Sequence, residues 1–278
     1  MNELSDLLKK VKPGDVAIIG IPFDENSSFM KGPASAPQII RNALYSDSSN
    51  MSTESIVDLG SEPRFVDFGD IKVKKYIETI EQTILNILER DAFVLSLGGD
   101  HSITYPILKV YGKKYKHLNI LQMDAHPDLY NEFDGNPYAH GCPFARIMEE
   151  NLAVRLVQIG IRTMNPHQYE QARRFNVETI HMKDWDSSFK PDFKGPVYIS
   201  LDMDVLDPAF APGVSHHEPG GFSTREVLNV IRELDAPVVG ADIVEFNPKR
   251  DPIGITAMAA ARFLKEIADK ILRSYEQL

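Results

Sequence analysis

The sequence predicts an α/β fold, a three-layer sandwich around a mostly parallel central sheet of roughly eight strands, and three observations predict it. Short apolar runs rich in Val and Ile recur along the chain, each followed by a Gly- or Asp-bearing turn and then a helical pattern, which is the rhythm of βα units. Several runs are apolar throughout instead of alternating, as in strands covered by helices on both faces. Other stretches return an apolar residue every three or four positions, the mark of an amphipathic helix.

In chain order the expected strands are Val16 to Ile21, Phe65 to Phe68, Phe93 to Leu97, Leu118 to Met123, Val154 to Ile161, Glu178 to Met182, Val197 to Leu201 and Val238 to Val244. The helical patterns are clearest at Tyr76 to Arg90, Thr224 to Leu234 and Thr256 to Tyr275; in the last, Met258, Ala261, Leu264, Ile267 and Ile271 form one stripe. The Ser-rich stretch Tyr45 to Ser55 reads as an exposed loop, because Ser, Asp and Asn compete for backbone hydrogen bonds. With no repeat, low-complexity tract or long linker, residues 1–278 are expected to form a single domain.

Hydrophobic residues make up 43% and charged residues 25%, enough to bury a substantial core. The formal net charge of −10 argues against a nucleic-acid partner, which needs a concentrated basic surface, and suits a small cationic substrate. No apolar run approaches the ~20 residues that span a bilayer, so no membrane association is expected. Cys142 has no second cysteine to pair with, and the opening MNELSDLLKKVKPGD lacks the apolar core of a secretion signal. The expected location is the cytoplasm.

Polar residues gather where they should be rarest, directly after the apolar runs. The third run leads into Gly98, Gly99, Asp100, His101 and Ser102, the fourth into Asp124, Ala125, His126, Pro127 and Asp128, and the seventh into Asp202, Met203 and Asp204. Open α/β sheets bind ligands outside the carboxyl ends of their strands. In extended chain, alternate side chains point one way, so Asp124, His126 and Asp128 can converge while Ala125 and Pro127 face away, and Asp202 with Asp204 repeats the pattern. With His101 that makes four carboxylates and two imidazoles at one end of the sheet. Such a group repels itself unless cations are present. An Asp in one such loop is commonly a helix cap; three such loops together point to metal. Six ligands without a thiolate exceed what one tetrahedral zinc needs and suit a pair of harder ions such as Mn²⁺.

The segments GGDHS, DAHPD and SLDMDVLDPAFAPG, with EPGG at Glu218 to Gly221 and GADIVEFNPKRD at Gly240 to Asp251, resemble the signature segments of the ureohydrolases: arginases, agmatinases, guanidinobutyrases and formiminoglutamases. The resemblance runs from about Gly20 to the C-terminus, and the later part is most similar to plant-type arginases and agmatinases. It implies an arginase-like fold and two Mn²⁺ per chain. One ion would be held by His101, Asp124, Asp128 and Asp202, the other by His126, Asp124, Asp204 and Asp202, and a water activated between them would split urea from a guanidino compound. It implies further that Asp128 holds the attacking water, that His140 in HGCPF shuttles protons, that Glu245 pairs with the substrate guanidinium, and that the protein forms a homo-oligomer, a trimer or hexamer.

The far end of the substrate is expected to meet the loop Leu129 to Tyr138, with Asn131, Glu132 and Asp134, and the stretch around His217 and Glu218. Acidic residues there would attract a free ammonium and repel a carboxylate, which ranks agmatine, cleaved to putrescine, ahead of arginine, guanidinobutyrate and formiminoglutamate. Val214, Ser215, His216 and His217 stand where many family members carry Gly-Thr-Gly-Thr. Two readings from other classes are kept: a zinc deacetylase of similar architecture, which would need one metal and fewer acids, and an inert binding protein, which would be expected to have lost ligands.

Overall fold

A computed structural model describes residues 9–275; the first eight residues of the N-terminal stretch considered above lie outside them. Eight strands form one sheet: β1 (Val16–Gly20), β2 (Phe65–Asp70), β3 (Phe93–Leu97), β4 (Asn119–Met123), β5 (Arg155–Ile161), β6 (Glu178–His181), β7 (Val197–Asp202) and β8 (Val238–Val244). Their spatial order is β2-β1-β3-β8-β7-β4-β5-β6, and every pairing is parallel. The eight expected strands are all present, within one or two residues of their expected ends.

Among the described residues, seven helices accompany the sheet: α1 (Ala36–Leu44), α2 (Tyr76–Leu88), α3 (Thr104–Lys114), α4 (Pro143–Glu149), α5 (Pro166–Arg174), α6 (Thr224–Glu233) and α7 (Ile255–Ser274). Helices α1, α6 and α7 pack together, and so do α2, α3 and α4, giving the two outer layers. Strands β1, β3, β4, β7 and β8 are buried along their whole length, which is why they read as unbroken apolar runs. Helix α6 starts where Ser223 and Glu226 form a reciprocal capping box, and α5 starts likewise at Asn165 and Gln168.

The Ser-rich stretch is irregular, as expected, but it is tied down. Lys265 of α7 donates to the Asn50 carbonyl (2.8 Å), Ser55 donates to Asp269 (2.8 Å), and Glu54 pairs with Arg225 and Arg262. No described helix is long and apolar enough to cross a membrane.

The strand order decides where chemistry can occur. Strands β3, β8, β7 and β4 are consecutive neighbours, so the loops after them emerge side by side at one edge of the sheet. The turn after β3 is the tightest. A Cβ on Gly99 would lie 1.7 Å from the Phe23 carbonyl oxygen, and that oxygen accepts the Asp100 N–H at 2.9 Å. Only glycine allows this approach. Gly99→Ala is therefore expected to destabilise the protein by at least the ~1–3 kcal/mol of an overpacked core, measured by urea denaturation. Unchanged stability would mean that the backbone at Phe23 yields freely.

Candidate metal centre

Each of the four neighbouring loops delivers acids or imidazoles held by its own backbone. After β3, Asp100 caps a 3-10 turn by accepting the Ser102 N–H, and its other oxygen accepts the Asn26 N–H at 3.0 Å. Asp100 is thus a brace that leaves His101 as the forward-facing group. After β4, Asp124 accepts the His126 N–H (2.6 Å) and the Gln122 side-chain amide (2.7 Å). After β7, Asp202 accepts the Asp204 N–H (2.8 Å), and Asp204 accepts the Ala125 N–H (3.1 Å), stitching the two loops together. After β8, Glu245 accepts the His101 N–H at 2.8 Å. Asp128 and Glu245 have φ of 48° and 62°, a left-handed backbone that ordinary residues adopt at a cost and that clusters at functional sites.

The buried His101 Nδ1 lies 3.0 Å from Asp128, 3.2 Å from Asp124 and 3.3 Å from Asp202, yet makes no aligned hydrogen bond with any of them. His126 Nδ1 lies 2.9 Å from Asp204 and 3.6 Å from Asp124. Two groups result in which one ligand atom per residue falls within 4.8 Å of the others: His101, Asp124 and Asp128, and Asp124, His126 and Asp204. Asp124 belongs to both. An imidazole nitrogen aimed at several carboxylate oxygens without a directed partner is what a cation site requires, so these residues fit divalent cations.

The far side of His101 supports that reading. Its Nε2 meets Ser200 Oγ at 2.9 Å, and Ser200 donates to Asp242 at 2.7 Å. Thr104 and Tyr198 also donate to Asp242, both at 2.9 Å. With its hydrogen given to Asp242, Ser200 can only accept, so Nε2 carries the ring hydrogen and Nδ1 can present a lone pair to a cation.

Burial disfavours every charge here, and the neighbours decide the outcome. Burial opposes a charged His101, but Asp124, Asp128 and Asp202 raise its pKa well above the ordinary value. Burial likewise opposes a charged His126, and Asp204 and Asp124 raise it. Burial and then Asp124 push Asp128 up to about 6, and burial with Asp204 raises Asp202 well above the carboxylate range.

A cleft of about 250 Å³ opens onto this cluster, and its walls include Asp128, His140, Asp202, Asp204 and Glu245. His140 Nδ1 is 2.8 Å from Glu245, and its Nε2 is 2.7 Å from Ser28 Oγ. Burial opposes a charged His140, yet the Glu245 carboxylate prevails and raises it to about 9. The acids expected at the far end of the substrate are placed differently. Asn131, Glu132 and Asp134 are exposed and off the cleft wall, and Asn131 is bonded to Gln171 and Arg146. His217 braces the loop, with Nε2 on the Pro212 carbonyl (2.7 Å) and Nδ1 on Arg250 (3.0 Å). Glu218 reaches to 3.7 Å from His126 Nε2. Cys142 is buried beside the cleft, and burial pushes its thiol up to about 12, far from a nucleophile.

Several wall residues lie outside the sequence motifs, among them Ser28, Thr163, Gln168 and His216. The His216 ring stands 5.3 Å from His140 and 5.8 Å from His126. Burial and the neighbouring His140 hold its pKa below the ordinary value.

Residues 14–269 match the family model described as the arginase family. The chain belongs to the arginase family. It is a hydrolase of the C–N bonds of guanidino compounds. It is 44% identical to arginase 1, mitochondrial, of Arabidopsis thaliana, over 97% of this chain and 84% of that protein. It is 32% identical to an agmatinase of Bacillus cereus, over 91% of this chain and 90% of that one. The solved arginase from Medicago truncatula superposes with a TM-score of 0.88 at 38% identity, covering 96% of this chain and 91% of the other.

A proton bound to His101 or His126 at neutral pH must leave before a cation can enter, so metal affinity should rise with pH through and above neutrality. Titrating metal-free protein with Mn²⁺ in weak buffer near pH 7 is expected to release about one to two protons per chain, read with an indicator dye. Uptake without proton release would show that the imidazoles are neutral before metal arrives.

Proposed function

We propose that the protein is a manganese arginase, converting arginine to urea and ornithine. The observation that carries the metal reading is Asp124, one carboxylate shared by two imidazole-carboxylate groups beneath a cleft that Glu245 and His140 line. We assign His101, Asp124, Asp128 and Asp202 to one ion and His126, Asp124, Asp202 and Asp204 to the other. Two divalent cations there would compensate the carboxylates and acidify a water for attack on the guanidinium carbon.

The chain's own residues then act at stated atoms. Asp128 orients the attacking water. Glu245, already bonded to the His101 backbone N–H, is a fixed carboxylate able to accept in-plane N–H bonds from a guanidinium. As the bond between the guanidinium carbon and the substituted nitrogen breaks, the leaving amine takes a proton from His140. The Glu245 contact keeps that proton in place near neutral pH.

The choice of arginine over agmatine reverses the ranking drawn from the loop acids. Glu132 and Asp134 do not line the cleft, which removes two of the three acids whose repulsion would have excluded a carboxylate and leaves Glu218, 3.7 Å from His126. Away from the acidic centre the wall offers uncharged donors, among them Ser28, Tyr130, Thr163 and Gln168, which tolerate a zwitterion. The higher identity to a plant arginase than to an agmatinase points the same way. A homo-oligomer and a cytoplasmic location are proposed as well, the first from the family resemblance and the second from the single unpaired Cys142.

With Mn²⁺ loaded, urea release is expected to show a higher kcat/KM for arginine than for agmatine, guanidinobutyrate or formiminoglutamate. An agmatine preference would return the protein to the agmatinases. Metal analysis should give close to two equivalents per chain, and full activity at one equivalent would defeat the paired-ion assignment. His140→Ala should lower kcat by the roughly 10²- to 10⁴-fold typical of a lost acid or base, with metal content intact. Lost metal would instead place His140 among the structural supports of the centre.

A further inference from the structure

The cleft wall holds one imidazole that neither the metal assignment nor the proton path uses. Among the described residues nothing hydrogen-bonds the ring of His216, whereas both ring nitrogens of His140 and His217 are engaged. Its ring instead meets three others, Phe29 at 5.7 Å, His140 at 5.3 Å and His126 at 5.8 Å. A histidine with both nitrogens free on a cleft wall has a reason to be there other than local bonding.

The backbone on either side of it is fixed. Ser215 Oγ donates to the Met30 carbonyl (3.0 Å) and accepts from the Asn247 side-chain amide (2.9 Å). Arg250 donates to the Ser215 carbonyl (3.1 Å) and meets His217 at 3.0 Å. Val214 forms a bridge with Phe246. Most of these anchors belong to the segment directly after β8, the segment that also carries Glu245. The loop carrying His216 is therefore tied mainly to the same segment that carries Glu245.

A guanidinium has two recognisable features, an edge of N–H donors and a flat face. A carboxylate such as Glu245 takes the edge in the plane of the group. The face is left for a flat, uncharged ring, which attracts a delocalised cation by its quadrupole. A compact ammonium has no face to offer and holds its water more strongly. The acidic centre alone would attract both cations equally.

We propose that His216 is a specificity-determining residue, the flat wall against which the face of the substrate guanidinium lies while Glu245 takes its edge. This rests on the guanidino reading above and names what separates a guanidinium from an ammonium at that site.

The test uses the Mn²⁺-loaded enzyme and the variants His216→Phe, which keeps a flat uncharged ring, and His216→Ala, which removes it. The probes are arginine and agmatine as substrates, with methylguanidinium and methylammonium as competitive inhibitors. His216→Ala is expected to raise KM for both substrates by roughly 2- to 30-fold, the range of a lost cation–ring contact. Metal content should be unchanged and kcat should move less than KM. The inhibition constant of methylguanidinium should rise in parallel while that of methylammonium stays constant, and His216→Phe should restore most of both. An unchanged KM in His216→Ala, an equal loss for methylammonium, or a His216→Phe enzyme as impaired as His216→Ala would overturn the proposal. A preference for agmatine in the unaltered enzyme would defeat the arginine reading and leave this one standing, since the two substrates share the guanidinium. No urea from any guanidino compound would end both.

Discussion

The structure depends on keeping four carboxylates together in a space that excludes water. Asp124, Asp128, Asp202 and Asp204 are all buried and surround two imidazoles. Two unit charges 4 Å apart repel by ~4 kcal/mol at an effective dielectric of ~20. Several such pairs would rival the ~5–15 kcal/mol that holds a domain folded. Positive charge is therefore part of the fold. The surrounding acids raise the pKa of His101 and His126 well above the ordinary value, which favours positive charge on both. The backbone contributes too, since Asp124, Asp202 and Asp204 each accept an N–H from a neighbouring loop residue.

That demand explains polar groups inside strands that otherwise bury only apolar ones. Ser200 on β7 and Asp242 on β8 are fully buried and fix the tautomer of His101. On the other side, Gln122 of β4 holds Asp124 and accepts from Gln158 of β5 (2.6 Å), which also donates to the Pro127 carbonyl (2.7 Å). Each member is bonded, so the desolvation cost of burying it is met. A parallel sheet suits this work because adjacent strands end together, and neighbours in space need not be neighbours in sequence.

How much was legible follows from the geometry. The strands and the ligand-bearing loops could be read because strand periodicity and strand ends are local properties: Asp124, His126 and Asp128 alternate, and so do Asp202 and Asp204. The outer cleft could not be read in that way. Asp134 and Gly135 form the tip of a tight two-residue turn, closed by paired hydrogen bonds between Phe133 and Asn136, and that turn carries Asp134 out into solvent. His216 and His217 are adjacent, and the Pro212 carbonyl together with the distant Arg250 holds His217 in the loop while His216 faces the cleft. Ser28 reaches His140 from a segment 112 positions away, through a contact that no short pattern encodes.

The same division bears on how substrates are told apart. On the function proposed above, the acidic centre and Glu245 would meet the part that arginine and agmatine share, and so would govern whether a guanidino compound is hydrolysed and not which one. Discrimination would then fall to the outer wall, where the side chains are uncharged and come from separate segments: Ser28 before α1, Tyr130 after β4, Thr163 and Gln168 after β5. Uncharged donors and acceptors discriminate by leaving one partner unsatisfied, a penalty of ~1–3 kcal/mol for each buried group. A few such contacts suffice to reverse a preference. This accounts for a centre whose residues read clearly from the sequence beside an outer wall that the loop acids did not foretell: the charge cluster is dictated by electrostatics, whereas the outer wall is a set of neutral side chains assembled by the fold.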